Sequence, residues 1–525
     1  MSRLIRVLSE HTINQIAAGE VIENPASVIK ELVENAIDAG AQKVLVAISG
    51  GGLQKILVSD DGNGMGREDA ILCTKRHATS KIARPEDLYS VGTMGFRGEA
   101  LASIGSIAKL KVQTSTGESV GVEVYVEGES SLDVKPFARN RGTTVEVCQL
   151  FYNVPARRKF QKSPALCSLE VLRVLTQLSL ANPNIGFELR DQGKERLRLP
   201  PSGLTCLEAL EIRCENLLGE EFLSEPYKIE GKAGPLKLEG FIASPRNTRP
   251  NRTLQTSIIN GRSVNCPALS YAVKDAFGTR IPHDRFPLYV LHLKVPSSMI
   301  DVNVHPQKKE VRLREEKWMK DKLRELIQEQ VFQAEKPPLS LEPPPPGFLS
   351  PKSFVRPSRT EWDEIGFEPS HRTLPPYAVS DSGTCFDKDE EQLPLFEEKK
   401  VVPIGIYKHF LWINAASSRY LSANFPEDGV VVVHLKAASS RLLYDALIGR
   451  VKDAEQKLLL PLSFSCSRLE AEQFLHHKED LSQMGFSLRE IGSQSFLLEA
   501  LPVGVSDNEA ADFLRGLFSE EMGES

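Results

Sequence analysis

Between Lys336 and Pro403 the chain places 13 of its 33 prolines in 68 of its 525 positions. Proline lacks a backbone donor and blocks helix and sheet interiors. The stretch also carries an acidic run, Asp387 to Glu391, and few clustered aliphatics. It cannot bury enough apolar surface to offset its ordering entropy, so it reads as a flexible, partly extended linker. Whatever folds must therefore fold on either side of it. At roughly 150 residues per domain the length suggests about three domains. We expect residues 1–210 and 211–335 to form two subdomains, 336–402 the linker, and 403–525 a small carboxy-terminal domain.

The amino-terminal part reads as α+β. Pro25 opens a segment with Val28, Ile29, Leu32, Val33, Ala36 and Ile37 at helical spacing, stopped by Gly40. Val44–Ile48 and Lys55–Val58 read as strands of a hairpin turning through Gly50-Gly51-Gly52. Alternating runs follow at 109–114, 120–127 and 143–150, and a helix at 99–107. A second series (236–242, 256–259, 288–295) ends in a charged helix at 314–334. Beyond the linker, strands at 410–414, 430–435 and 496–500 alternate with helices near 438–450 and 467–484.

Four segments carry chemistry. On the first helix Glu31, Asn35 and Asp38 fall at i, i+4 and i+7 and share a face. A carboxylate and an amide oxygen on one stripe can hold a hard cation and a water. Alone, this reads as a solvated face with a Lys30–Glu34 pair. Ser59-Asp60-Asp61-Gly62-Asn63-Gly64-Met65-Gly66 follows a strand directly. A carboxylate there can accept from an exocyclic amine, and glycines let a ligand approach the backbone; alone it is equally a tight turn. Arg76 to Lys81, then Gly92 to Leu101, put glycines immediately before a helix, the arrangement for phosphate capture and for a closing lid. Neither GxxxxGK[ST] nor GxGxxG fits. Finally, Lys308 in Asn303-Val304-His305-Pro306-Gln307-Lys308 could reach a terminal phosphate as a point charge, or be a surface lysine.

Together, in order and spacing, these segments resemble the GHKL ATPases shared by gyrase, certain chaperones and histidine kinases. Within that group Asn14 to Glu23, Lys30 to Ala41, His77 to Lys81, Gly95 to Leu101 and Asn303 to Lys308 resemble the MutL mismatch repair family nearly letter for letter. The resemblance is strong over about 1–335 and weaker over about 400–500. It implies an ATPase sandwich, a transducer-like second α/β subdomain, a linker and an α+β dimerisation domain. It implies Glu31 as general base and Asn35 as the Mg²⁺ ligand. Asp60 would read adenine, with Gly62 and Gly64 clearing space and Thr143 adding a polar contact. Thr79, Ser80, Gly95, Phe96, Arg97 and Gly98 would cover the phosphates, and Lys308 would sense the γ-phosphate. The implied activity is slow Mg²⁺-dependent ATP hydrolysis that orders the arm at 1–20 and dimerises two ATPase regions around DNA. The implied partner is a mismatch-recognition protein of the MutS type.

Net charge −6 and a hydrophobic share of 41% exclude a mainly disordered chain and a uniformly basic nucleic-acid binder. No apolar run approaches the ~20 residues of a membrane span, and the start lacks a signal peptide's apolar stretch. Eight scattered cysteines without CxxC fit a reducing compartment. We therefore expect a cytoplasmic, nucleoid-associated protein without membrane contact. Local basic clusters at Arg157-Arg158-Lys159 with Lys162, at Arg246, Arg249 and Arg252, and at Arg190 to Arg198 are candidate phosphate contacts, or solvated loops.

Many members of the resembled family nick DNA at a metal site, DQHAxxExxxxE plus a later Cys-Pro-His. Here His434, Lys436 and Ser440 stand at the first Asp, the His and the key Glu, and no Cys-Pro-His occurs. We expect no endonuclease activity. The chain also stops at Ser525, before the family's usual final segment. Gln392-Leu393-Pro394-Leu395-Phe396 in the linker resembles the short motif bacterial proteins insert into the sliding clamp. Rival readings are a scaffold that holds ATP without hydrolysis, a nicking endonuclease, and another enzyme of the GHKL group. A kinase would need a phosphoacceptor helix pair ahead of Asn14, and a topoisomerase a large cleavage domain.

Overall fold

The computed structural model describes residues 22–81, 98–128, 131–282, 284–301, 312–334, 403–407, 410–414, 430–434 and 455–502, plus single positions at 438, 505, 510, 511, 513, 514 and 516. The chain divides into two compact units, 1–335 with 447–525, and 336–446.

The first unit is organised by helix α1, Pro25–Asp38. Asn24 caps it by accepting from the Ser27 amide at 2.9 Å, and Pro25 supplies a preset first turn. Its buried stripe, Val28, Ile29, Leu32, Val33 and Ala36, shares one core with Val44, Val46 and Ile48 of β1 (Lys43–Ser49) and Ile56 and Val58 of β2 (Lys55–Asp60). Each such Val, Leu or Ile side chain contributes on the order of 1.5–3 kcal/mol through burial. The expected hairpin forms, with Gly50–Gly52 as a 3₁₀ turn. Helices α2 (Arg67–Leu72) and α3 (Ala100–Ile107) follow, then β3 (Lys109–Ser115), β4 (Gly121–Glu127), β5 (Ser131–Phe137) and β6 (Gly142–Cys148). After α4 (Pro155–Lys159) and α5 (Pro164–Ala181) come β7 (Gly186–Asp191) and β8 (Lys194–Leu199). The eight strands order as β5-β4-β3-β6-β2-β1-β7-β8, so β6 lies beside the end of β2. That crossover brings Thr143 next to Asp60.

Helix α5 is long and apolar enough, by length and composition, to cross a membrane. It is a core helix: Cys167, Val171, Leu172, Leu175 and Leu178 are buried within this unit.

Helix α6 (Cys206–Leu218) leads into a second layer with its own core. Its five-stranded sheet runs, in spatial order, 262–264, 255–259, 289–294, 236–242, 227–233. Helices Pro267–Phe277 and Glu316–Ala334 contribute to that core. The two layers are joined at His292, whose Nε2 lies 3.0 Å from the Leu180 carbonyl. Burial disfavours the charged imidazole there.

Arg213 of α6 is 1% exposed and donates to three carbonyls, Pro183 O (3.0 Å), Ile185 O (2.7 Å) and Pro200 O (2.7 Å). Burial draws its guanidinium down to about 10. Arg213→Met would strand those acceptors. We expect a loss of about 3 kcal/mol or more in the urea unfolding of this unit, measured on the full chain.

The same unit includes strands Glu455–Ser465, Ser487–Gly492 and Ser495–Pro502 with helices Arg468–His476 and Lys478–Gln483. Helix Arg468–His476, capped by a Ser467–Glu470 box, packs on α5 and α6. Arg196 Nη1 meets Glu472 Oε2 at 3.1 Å, and Gln494 Nε2 donates to Asn216 O at 3.0 Å. The second unit contains a meander of 403–407, 410–414 and 430–434, with Phe410, Trp412, Val430 and Val432 exposed. Of the helix expected at 438–450 only position 438 lies among the described residues.

Two basic clusters differ from the solvated picture. Arg249 is 2% exposed and so is not a surface phosphate contact, while Arg252 lies over the Tyr271 and Phe286 rings. In the 190–198 stretch Arg190, Arg196 and Arg198 pair with Glu188, Glu472 and Glu195. Charges paired this closely project little field toward a polyanion.

Candidate nucleotide site

The site is built where α1, the end of β2 and β6 converge. Asp60 is the last residue of β2, as a strand-end carboxylate requires. Its Oδ1 accepts from the amides of Gly62 (2.9 Å) and Thr143 (3.1 Å). Arg139 donates to the Asp60 carbonyl at 2.9 Å and to Thr144 Oγ1. Thr143 Oγ1 pairs with buried Thr114 Oγ1 at 3.0 Å, and Thr114 Oγ1 accepts from the Met65 amide at 2.8 Å. Asp61 accepts from the amides of Gln42 and Lys43 at 2.7 and 2.9 Å, tying the glycine loop to the start of β1.

Gly64 sits at φ +68, and a Cβ there would lie 2.0 Å from the Ser115 carbonyl. The loop needs glycine at that point for both conformation and space. Gly98 plays the equivalent part at the helix entrance: φ is +62 and a Cβ would meet Ala78 O at 2.5 Å. His77 N donates to Gly98 O at 3.1 Å, so the segment Ala78-Thr79-Ser80 lies against the residue that leads into α3. Thr79 Oγ1 accepts from the Lys81 amide at 3.2 Å, and Ser80 is exposed. Gly95, Phe96, Arg97 and Lys308 lie outside the described residues, as do the arm at 1–20 and the linker motif at 392–396.

Glu31 and Asn35 are half-buried on α1, and Lys30 pairs with Glu34 at 3.9 Å. Lys81 Nζ donates to Asn35 Oδ1 at 2.9 Å and to Asp38 Oδ2 at 2.6 Å. The amide oxygen expected to hold Mg²⁺ is thus already a cation acceptor, so the donor set fits a hard cation. Arg262 of the second layer faces the same helix: burial lowers its guanidinium, and Glu34, Asp38 and Glu31 oppose that shift.

Thr114, Arg139, Thr144, Lys81 and Arg262 are site residues that carried no role in the sequence reading. Thr114 and Thr144 are signalled only by the register of β3, β6 and β2, which no single-sequence pattern gives. Lys81 falls inside a segment already singled out, but its partners lie 43 and 46 positions away.

Burial raises the Asp60 carboxyl above the ordinary aspartate range, against the Gly62 and Thr143 amides and Arg139, which lower it. Only the ionised form accepts on both oxygens. Adenine-nucleotide affinity is therefore expected to fall on acidification at a pH above that of an ordinary aspartate, and the step is expected to vanish in Asp60→Asn. The stability sign is opposite: a raised folded value favours the fold at low pH, and that contribution is lost as pH rises through it. A binding titration against pH checks the first, urea midpoints against pH the second.

The sandwich with its carboxylate, glycine loop and polar helix face defines an ATPase domain of the GHKL class. Residues 22–127 match the family described as histidine kinase-, DNA gyrase B- and HSP90-like ATPase. Residues 214–331 match the C-terminal domain of DNA mismatch repair protein, and 416–524 the MutL C-terminal dimerisation domain. The DNA mismatch repair protein MutL of Geotalea uraniireducens is 35% identical, with 99% of this chain and 88% of that protein covered. MutL of Listeria welshimeri is 33% identical, with 99% and 88% covered. A solved N-terminal domain of a DNA repair protein superposes with a TM-score of 0.50 at 26% identity, over 62% of this chain and 98% of that one. The chain belongs to the MutL family of DNA mismatch repair proteins.

Proposed function

We propose that this chain is an ATP-switched matchmaker in DNA mismatch repair. The observation that carries the reading is the joint placement of Asp60, Gly64 and the Glu31–Asn35 face around one convergence of α1, β2 and β6. Asp60 reads the adenine amine and Thr143 adds a polar contact beside it, with Gly62 and Gly64 leaving room for the base. Glu31 orients and deprotonates the attacking water from a rigid helix. Thr79, Ser80 and Gly95 to Gly98 cover the phosphates, and Lys308 contacts the γ-phosphate from the second subdomain. Asn35 would hold Mg²⁺, which when bound neutralises phosphate charge. A base and a sensor on separate subdomains make closure depend on an intact triphosphate.

Closure dimerises two ATPase regions. The carboxy-terminal domains hold the pair together, and the linker raises the effective concentration of the two halves around DNA. DNA contact is to phosphates, without sequence reading. A MutS-type protein delivers the mismatch signal, and Gln392, Leu393, Leu395 and Phe396 engage a sliding clamp. His434, Lys436 and Ser440 replace the nicking-site ligands, which supports a chain without endonuclease activity, acting in the cytoplasm on the nucleoid.

The test is light scattering of residues 1–525 with Mg²⁺ and a non-hydrolysable ATP analogue, alongside steady-state hydrolysis with and without single-stranded DNA. The reading expects analogue-driven compaction of a dimer and turnover raised by DNA. A mass and radius indifferent to nucleotide, with DNA-independent turnover, would overturn it.

A further inference from the structure

Lys81 is bound where the reaction needs a metal ligand. Its ammonium takes Asn35 Oδ1 at 2.9 Å and Asp38 Oδ2 at 2.6 Å, and it is well covered, with 19% of the Lys81 side chain and 8% of the Asp38 side chain exposed. Its backbone is set by Thr79, whose hydroxyl accepts the Lys81 amide at 3.2 Å. Two charge-assisted or polar bonds to one ammonium, with little solvent, make this a defined pairing and not a waving surface lysine.

An ammonium and a divalent cation on the same amide oxygen repel each other at close range. The two cannot share Asn35 without one leaving. We propose that Lys81 is a built-in competitor for the divalent cation: it holds Asn35 and Asp38 in place, and the nucleotide's Mg²⁺ must displace it to engage Asn35. This rests on the reading of Asn35 as a Mg²⁺ ligand. Lys81 is a positioning residue in this scheme. It keeps the polar face of α1 neutralised against its own carboxylates, and it sets how much Mg²⁺ is needed before nucleotide is gripped.

The competition has a measurable size. A bonded form populated at about nine-tenths lowers the apparent affinity for the displacing cation about tenfold. Equilibrium binding of a fluorescent ADP analogue to the full chain, titrated with Mg²⁺ and repeated in EDTA, reads this without any turnover. In Lys81→Met the Mg²⁺ concentration for half-maximal binding is expected to drop about fivefold to tenfold, with each variant's binding in EDTA as its own baseline. Lys81→Gln, which keeps a polar stem, and the charge-balanced pair Lys81→Met with Asp38→Asn guard against a folding defect, and thermal melts verify each.

A half-saturation that stays or rises in all three variants would overturn the proposal. So would equal losses of binding with and without Mg²⁺, which would make Lys81 a nucleotide ligand. Asn35→Ala separates the two layers of the argument. If it abolishes the Mg²⁺ dependence while Lys81→Met leaves it untouched, the ligand reading stands and the competition falls. If the dependence survives Asn35→Ala, both fall.

Discussion

Glu31→Ala is expected to lower the turnover of ATP by about 10² to 10³-fold, within the range a positioned general base supplies. Nucleotide affinity in the same variant is expected to change by less than about threefold. The split follows from placement. Glu31 projects from α1, whose opposite stripe is locked into the core through Leu32 and Val33, at 3% and 0% exposure. Removing its carboxylate disturbs neither the Asp60 pair of amide bonds nor the Gly64 approach that shape the base pocket. An interaction made only in the transition state lowers kcat and kcat/KM together and leaves binding alone. Steady-state hydrolysis with Mg²⁺, beside equilibrium binding of a fluorescent nucleotide, checks both halves. Equal binding with no turnover in either wild type or variant would make the chain an ATP-holding scaffold instead. A loss of binding in Glu31→Ala would move Glu31 from base to structural support.

The sequence made the local elements of the site readable and left their meeting points obscure. Pro25 and the apolar spacing from Val28 to Ile37 define α1 because first turn and buried stripe agree, and the Asn24 cap emerges only in the fold. The strands at 44–48 and 55–58 are readable through alternation plus a glycine turn, and the fold extends them to 43–49 and 55–60. Helix α5 is not readable, since Leu169, Val174 and Leu180 put apolar residues off the main stripe and blur the period. The hairpin of β7 and β8 was hidden in what looked like a basic patch; its arginines instead meet Glu188, Glu195 and Glu472. The last of these partners lies 276 positions away, beyond any pattern in a window. Lys81 shows the same limit inside the site. Its segment suggested phosphate capture, yet its ammonium bonds to α1, because a side chain's partner is chosen by the folded register and not by the segment's composition.

Gly64→Ala is expected to be the most damaging single methyl in the site, with Gly66→Ala as its silent neighbour. At Gly64 the backbone is left-handed, and the added Cβ would lie 2.0 Å from Ser115 O and 3.2 Å from Gly142 O. Both obstacles are backbone atoms of sheet strands or their ends, held by the β3–β6 pairing in which Ser115 faces Gly142. Neither can rotate away as a side chain tip would. The loop must therefore move, and with it the Met65 amide bond to Thr114 and the Gly62 amide bond to Asp60. Left-handed strain, of order 1–3 kcal/mol, and the forced shift add. A loss of about 2–4 kcal/mol in urea unfolding is expected, with nucleotide affinity reduced by more than about tenfold. At Gly66, two residues on, φ is −70 and nothing lies within 4 Å of the added Cβ. There the change is expected to stay within about 0.5 kcal/mol. Because the two substitutions add the same atom to the same loop, any difference between them isolates the close approach at Ser115. Similar stability and affinity in both variants would mean that the loop is not pinned by that contact, and the base pocket would need another floor.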